Sequence, residues 1–445
     1  MTSESALRGL AYQDTLTGYE MTGAVPGRST ANAELLLGQL GSPHRSYPAI
    51  HVTGTNGKGS TSSVAAALLT HAGLRVGLYT SPHLITCGER IRVGGEPATD
   101  EQLGGLLDQV RTAADRLGLT PSWFEALTVA ALLRFGQANV DVAVVEVGML
   151  GRWDATNVLN AATVAITNVD LDHVEFAGNS RTAIAREKAG IIHLGATLVL
   201  GERDPGLHPI FIERRPARVS MMGRDYAVTH RTACSGGQTL DIRLGDRVLP
   251  NVELPLLGAH QADNTAVALA AAEAHLGGPL DARTVAAALA GLRVPGRLHA
   301  IAGGRVVVDV AHNPAGAAAV RAAVDEAFGA AQRSALVMGA LRGRDPSPFL
   351  TALRASSADV VIATEPPSPR RLPAVQIAAT AERLGARAIV EPDPLQALSQ
   401  AESLCHPDGI VIVTGSHSLA GTVLKSAAEF AGKFASRPNA AQVTC

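Results

Sequence analysis

The chain has 445 residues, 38 Lys and Arg against 40 Asp and Glu, a formal charge of -2, and only 3% aromatic residues. That balance supplies neither a basic footprint for a polyanion nor a set of rings on which bases could stack, which excludes nucleic acid as an expected partner. A single core stops growing near about 250–300 residues, so two domains are expected, and the Ala, Val and Leu content fits an α/β protein with buried aliphatic strands.

In chain order, the first twenty residues carry Glu4, Arg8, Asp14 and Glu20 with no apolar segment between a basic start and a cleavage site, so no signal peptide is read there. Apolar runs stay at strand length, well short of the ~20 residues of a membrane helix, and a cytoplasmic location is expected. Cys87, Cys234, Cys405 and Cys445 are scattered without a CxxC pair and read as lone thiols. Buried strands are expected at Ala49 to Thr53, Val76 to Thr80, Asp141 to Val147, Thr163 to Asn168 and Thr197 to Leu200. Helices fill the gaps at Ser60 to Ala72, Ser122 to Gln137 and Arg181 to Ile192. This rhythm predicts a mostly parallel sheet with helices on both faces and a ligand at the carboxyl ends of its strands. Residues 204 to 255 read as a small antiparallel excursion, followed by a helix from Ala262 to Leu276. After a turn-rich joint at Arg293 to Arg297, a second βα series places strands near Val306, Ala335, Val360, Arg387 and Ile410. The domain boundary is expected near Pro295 to His299, dividing 1–296 from 297–445, and the tail from about Gly432 is expected to fray.

Four constellations carry chemistry. Gly54-Thr55-Asn56-Gly57-Lys58-Gly59-Ser60 lies between an apolar strand and an Ala/Leu helix. Backbone N–H groups of such a turn can cradle a triphosphate, with Lys58 as the point charge on its distal phosphates. Gly59 separates that lysine from the hydroxyl residues, a departure from the general template. Glu146 closes the apolar run Val144 to Val147, where a buried carboxylate requires a partner and a nucleotide's Mg²⁺ is the obvious one. Asp170, Asp172 and His173, followed by Glu187-Lys188, supply further acids and a cation, although a His beside acids and a Glu-Lys step on a helix are commonly structural or solvated. Asp309 and His312 end a second-domain strand, while Asn313 with Pro314 also reads as a helix cap.

Together these residues resemble the Mur ligase superfamily and, within it, the folylpolyglutamate synthase/dihydrofolate synthase family. The ordered matches are GTNGKGS at Gly54 to Ser60, TSPHL at Thr80 to Leu84, ERI at Glu89 to Ile91, Phe124-Glu125, VEVG at Val145 to Gly148, and GRWDATN at Gly151 to Asn157. Asp172-His173, EKAGI at Glu187 to Ile191, GAHQADN at Gly258 to Asn264, PGR at Pro295 to Arg297, DVAHNP at Asp309 to Pro314 and TGS at Thr414 to Ser416 complete the set.

The resemblance implies an N-terminal P-loop ATPase-like domain and a smaller C-terminal Rossmann-like domain that closes over ATP. It implies Ser81, Glu146, His173 and a carbamylated Lys188 around two Mg²⁺ ions, with Lys58, Lys188, His173 and His312 as catalytic groups. ATP would meet Gly54, Thr55, Asn56, Gly57, Lys58, Gly59, Ser60, Asn264, Arg297, Asp309 and His312. A pterin or folate-type carboxylate would lie near Arg28, Ser29, Thr30, Pro82, Ser122, Trp123, Phe124, Glu125, Trp153, Asp154 and Ala155, and L-glutamate near His312 and Ser416. A cytoplasmic monomer making an acyl phosphate is the family expectation.

Departures from the pattern fall at Met149, Leu150, Trp153, Ala177, Ala315-Gly316 and His417. They spare the ATP and metal positions and touch those facing substrate, which leaves a paralogue using another aryl or heteroaryl carboxylate as the alternative. A nucleotide sensor without ligase activity would have lost the metal or lysine positions, and these are present.

Overall fold

The computed structural model describes residues 2–23, 29–172, 174–234, 236–329 and 333–433. It divides into two compact units, one of Met1–His230, Leu240–Val252 and Ala262–Leu292, the other of Arg231–Thr239, Glu253–Gln261 and Arg293–Cys445. A single boundary in sequence does not foresee the two short segments of the second unit. Local bonds explain their membership: Arg231 pairs with Glu326, and the Gln238 amide donates to the carbonyls of Leu256 and Gly258 at 2.7 and 3.0 Å.

The first unit is built on an eight-stranded sheet. Its strands are β1 (Ala49–Thr53), β2 (Val76–Tyr79), β3 (Ile91–Val93), β4 (Glu96–Pro97), β5 (Val142–Glu146), β6 (Thr163–Ile166), β7 (Thr197–Leu200) and β8 (Arg218–Met221). They lie in the order β4-β3-β2-β5-β1-β6-β7-β8. The run from β2 to β8 is parallel, and β3 and β4 add an antiparallel edge. Every residue of β1 and β5 is buried, as aliphatic runs in the middle of a parallel sheet require. Helices Lys58–His71, Trp123–Gln137 and Arg181–Ala189 occupy the expected gaps. The short β3–β4 pair is too brief to show a period in sequence. Within residues 204 to 255, Arg218–Met221 joins the main sheet beside β7. Strands β9 (Tyr226–Cys234), β10 (Gly237–Leu244) and β11 (Arg247–Leu254) form a separate three-stranded sheet.

The second unit holds β12 (His299–Ile301), β13 (Val306–Val308), β14 (Ser334–Met338), β15 (Val360–Ala363), β16 (Ala388–Val390) and β17 (Ile410–Thr414). Their order is β12-β13-β17-β14-β15-β16, parallel except for β12. Its own core gathers Val307, Val320, Leu336, Ile377 and Ile412. Cys87 and Cys405 carry free thiols, whereas Cys234 is disulfide-bonded, which corrects the expectation of lone thiols at that position. Among the described residues no helix is long and apolar enough to cross a membrane.

Candidate active site

Strand β1 lies between β5 and β6, so the loop after Thr53 leaves the middle of the sheet. The helix Lys58–His71 then begins with Gly57 at φ +82°, a left-handed conformation, and a Cβ at Gly57 would lie 2.2 Å from Asn264 Oδ1. Glycine is needed here on both counts. The loop is anchored to the chain after β6: the N–H groups of Thr55 and Asn56 donate to Asn168 O and Oδ1, each at 2.9 Å, and Thr167 Oγ1 donates to Asn56 O at 2.6 Å. The Lys58 ammonium folds back to donate to the carbonyls of Gly54 and Thr55 at 3.1 and 3.3 Å. Ser60, in the first helical turn, is 1% exposed, and its Oγ has no hydrogen-bond partner among the described residues. Buried hydroxyls normally have partners, so an unpaired oxygen behind a glycine-rich turn is an opening for a phosphate or its cation.

Glu146 ends β5 and is 3% exposed, and its Oε2 accepts the Ser81 N–H at 3.0 Å. Ser81 precedes the cis bond to Pro82. The structure thus brings together two of the residues expected around a metal. Lys188 is buried in the helix Arg181–Ala189. Burial and the nearby Lys58 hold its amine well below the ordinary lysine range, with Asp172 opposing the shift. His173 and Arg28, both expected in the site, lie outside the described residues. Among the described residues no three His, Cys, Asp or Glu side chains could hold a metal by themselves. A cation here would therefore draw on oxygens such as those of Ser60 and Ser81 beside Glu146, a hard-donor set that fits Mg²⁺.

The residues expected around the acyl substrate divide into two groups. Ser122 and Glu125 cap the helix Trp123–Gln137: Ser122 N–H donates to Glu125 Oε2 at 2.6 Å, and Glu125 N–H donates to Ser122 Oγ at 3.3 Å. That reciprocal pair is what the S-x-x-E spacing produces on its own. Asp154 and Ala155 are buried, and Asp154 caps the short helical turn Ala155–Val158. Ser29 Oγ accepts the Ala31 N–H at 3.0 Å, and Thr30 Oγ1 donates to Glu34 at 2.5 Å. The other group presents rings. Trp123 lies 4.5 Å from the guanidinium of the fully buried Arg90, whose Nε donates to His83 Nδ1 at 2.9 Å. Phe124 packs near Tyr79 and against Gly148, where an added Cβ would meet the ring at 2.3 Å. Trp153 is 46% exposed, with Arg152 over its ring at 5.7 Å. Arg90, part of the ERI match at Glu89 to Ile91, and the buried His51 carry no expected role from the sequence. For His51 the available signal is a polar residue inside the apolar run Ala49 to Val52, whereas Arg90 sits between Glu89 and Arg92 in no such run.

In the second unit Asp309 follows β13, is 5% exposed and accepts the N–H groups of Leu298 and Ala311 at 2.9 and 2.7 Å. Burial pushes its pKa up, and Arg297 opposes that shift. His312 Nδ1 meets Val310 O at 3.0 Å, Arg344 donates to the His312 carbonyl at 2.5 Å, and the His312 and His417 rings are 5.3 Å apart. Asn313 caps the helix that opens at Pro314, and the buried Ser416 Oγ accepts the Leu419 N–H at 3.1 Å.

Residues 52–272 match the Mur ligase middle domain, and residues 296–417 match the Mur ligase glutamate ligase domain. With a phosphate-type loop at the carboxyl edge of the first sheet, fold and site define a Mur ligase. A curated relative, the dihydrofolate synthase/folylpolyglutamate synthase of Mycobacterium tuberculosis, is 39% identical over 80% of this chain and 78% of its own. The solved folylpolyglutamate synthase of Mycobacterium tuberculosis complexed with ADP superposes with a TM-score of 0.87 at 34% identity, covering 95% of this chain and 98% of that one. The Escherichia coli FolC structure in complex with DHPP and ADP has a TM-score of 0.84 at 27% identity, over 96% and 99% of the two chains. The chain belongs to the dihydrofolate synthase/folylpolyglutamate synthase family, and it is an ATP-dependent ligase.

Proposed function

We propose that the protein joins L-glutamate to dihydropteroate, to a (tetrahydro)folate, or to both, through an acyl phosphate, with release of ADP and phosphate. The observation that carries this reading is the grouping in the first unit of the Lys58 loop, the unpaired Ser60 hydroxyl and the Ser81–Glu146 pair. Those groups suit a triphosphate and its cation. The loop N–H groups and Lys58 orient the triphosphate so that the acceptor carboxylate attacks the γ-phosphorus, the bond to ADP breaks, and a mixed anhydride forms. The glutamate amine then attacks the acyl carbon, loses a proton, and phosphate departs.

Ser81, Glu146, His173 and Ser60 would hold Mg²⁺, which supplies charge neutralisation on the transferring phosphoryl group when bound. Burial and the nearby Lys58 hold the Lys188 amine well below the ordinary lysine range, which favours its neutral form as a nucleophile for CO₂, and its carbamate would add a further anionic ligand. Asn264, Arg297, Asp309 and His312 are assigned to ATP. His312 and Ser416 are assigned to glutamate, and the rings of Trp123, Phe124 and Trp153 with Pro82 are assigned to the acceptor's heteroaromatic body. In this reading residues 1–296 supply ATP and acceptor binding, residues 297–445 supply the glutamate side, and the protein acts as a cytoplasmic monomer.

The relatives disfavour the paralogue with another carboxylate. ADP release by purified protein with Mg²⁺, L-glutamate and a panel of acids, with product masses recorded, tests the assignment. A product heavier by one glutamyl residue with dihydropteroate or tetrahydrofolate is expected. Turnover only with an unrelated aryl acid would replace it.

A further inference from the structure

His51 lies in the middle of β1, fully buried among apolar neighbours, and the proposed chemistry does not use it. Its Nε2 is 2.8 Å from Thr156 Oγ1, and that hydroxyl is 2.5 Å from Asp154 Oδ1. Asp154 Oδ1 also accepts the Thr156 N–H at 3.0 Å, while its other oxygen accepts the Met149 N–H at 2.8 Å. The directions of these bonds follow from what each group can offer. Burial raises the Asp154 pKa, and the bonds from the Thr156 hydroxyl and from the backbone N–H groups of Met149, Thr156 and Gly148 oppose that shift. As the ionised carboxylate Asp154 only accepts, so the Thr156 hydroxyl proton goes to it, and Thr156 Oγ1 accepts from His51. His51 is therefore the neutral tautomer with its proton on Nε2, and its Nδ1 has no partner among the described residues. Burial holds the ring neutral, lowering its pKa to about 3.

This chain of bonds ends on the segment from Gly148 to Asp154, which needs outside support. Leu150 adopts φ +60°, a left-handed conformation disfavoured for a branched side chain. β1 holds the segment a second time through the Thr53 hydroxyl, which donates to Leu150 O at 2.7 Å. Beyond Leu150 the segment is bonded to the lysine-bearing helix: Arg152 N–H donates to Glu187 O at 2.9 Å, and the Asn157 amide bridges Arg152 O and Gly190 O at 3.0 and 3.3 Å. Its solvent side shows the Arg152–Trp153 pair. One polar residue of the strand that feeds the phosphate loop thus fixes the loop that starts just after Glu146 and presents Trp153.

We propose that His51 is a positioning residue for the acceptor carboxylate's site, acting through Thr156 and Asp154 to hold the Gly148 to Asp154 segment in its strained conformation. The assignment of Trp153 to the acceptor rests on the proposed function above, whereas the mechanical part of the proposal does not. A purely packing role would be filled by any apolar side chain of similar size. A positioning role requires a donor where Nε2 stands.

The test compares His51→Leu, which fills the space without a donor, with His51→Gln, whose amide N–H can reach the same point. Steady-state kinetics are measured with MgATP, L-glutamate and dihydropteroate or tetrahydrofolate, and amide hydrogen exchange is followed over residues 148–156. For His51→Leu the expected result is an acceptor KM raised about tenfold, with the KM for ATP within about twofold of wild type. Faster exchange confined to that segment accompanies it. His51→Gln is expected within about twofold of wild type in all three readouts. If the two variants behave alike, or if the ATP and acceptor KM rise together, the positioning role is wrong. Should the wild type make no amide with either acceptor, the substrate assignment fails, and the exchange contrast between Leu and Gln still decides the relay.

Discussion

The two sheets treat the polar residues at their carboxyl edges in opposite ways. In the first unit the groups behind the phosphate loop are left incompletely bonded: Ser60 Oγ has no partner among the described residues, and Lys58 reaches only two carbonyls of its own loop. In the second unit Asp309 accepts two backbone N–H groups, and Asn313 and Ser416 each cap a helix. The first edge leaves its polar groups open to a charged ligand, and in the second the same side chains also hold their own loops. Substitutions should therefore separate, with losses of activity at little cost in stability on the first side and losses of stability accompanying any loss of activity on the second.

The largest expected effect is that of Lys58→Ala. Removing the point charge should lower kcat by about 10²–10³-fold while the melting temperature stays within a few degrees, because among the described residues the ammonium bonds only the carbonyls of Gly54 and Thr55. A comparable fall in stability would break the contrast. Next comes Asp309→Asn, where an amide NH₂ faces a backbone donor that the carboxylate had satisfied. We expect a loss of about 1–3 kcal/mol in the second unit, read as a lower melting temperature even without nucleotide.

The smallest effect is in pH. The folded-state pKa of His51 is near 3 against the ordinary 6.5, so between those values the unfolded chain binds a proton that the folded one does not. Stability then rises with pH across that window and falls on acidification, by about 1–2 kcal/mol between pH 6.5 and 5. His51→Gln should flatten that part of the melting curve against pH.

Much of the fold was legible because parallel strands bury both faces and read as aliphatic runs, and the turn after β1 carries Gly and Lys at a strand-to-helix junction, as a phosphate-type loop does. The less legible features depend on partners distant in sequence. His51 bonds a hydroxyl 105 residues away, and nothing in β1 itself names Thr156. Residues 231–239 and 253–261 join the second unit through Arg231, Gln238 and Glu326, while their sequence reads only as part of a β excursion. Ser122 and Glu125 show the reverse case. They were expected near the acyl substrate, whereas their S-x-x-E spacing is that of a reciprocal cap, and the structure uses both side chains in that way.

Isotope transfer distinguishes a ligase that works through an acyl phosphate from one that does not. With the acceptor carboxylate labelled in ¹⁸O, one labelled oxygen is expected in the released phosphate for each amide formed, because the carboxylate oxygen that attacks the γ-phosphorus leaves with it. Amide formation with unlabelled phosphate would contradict an acyl phosphate.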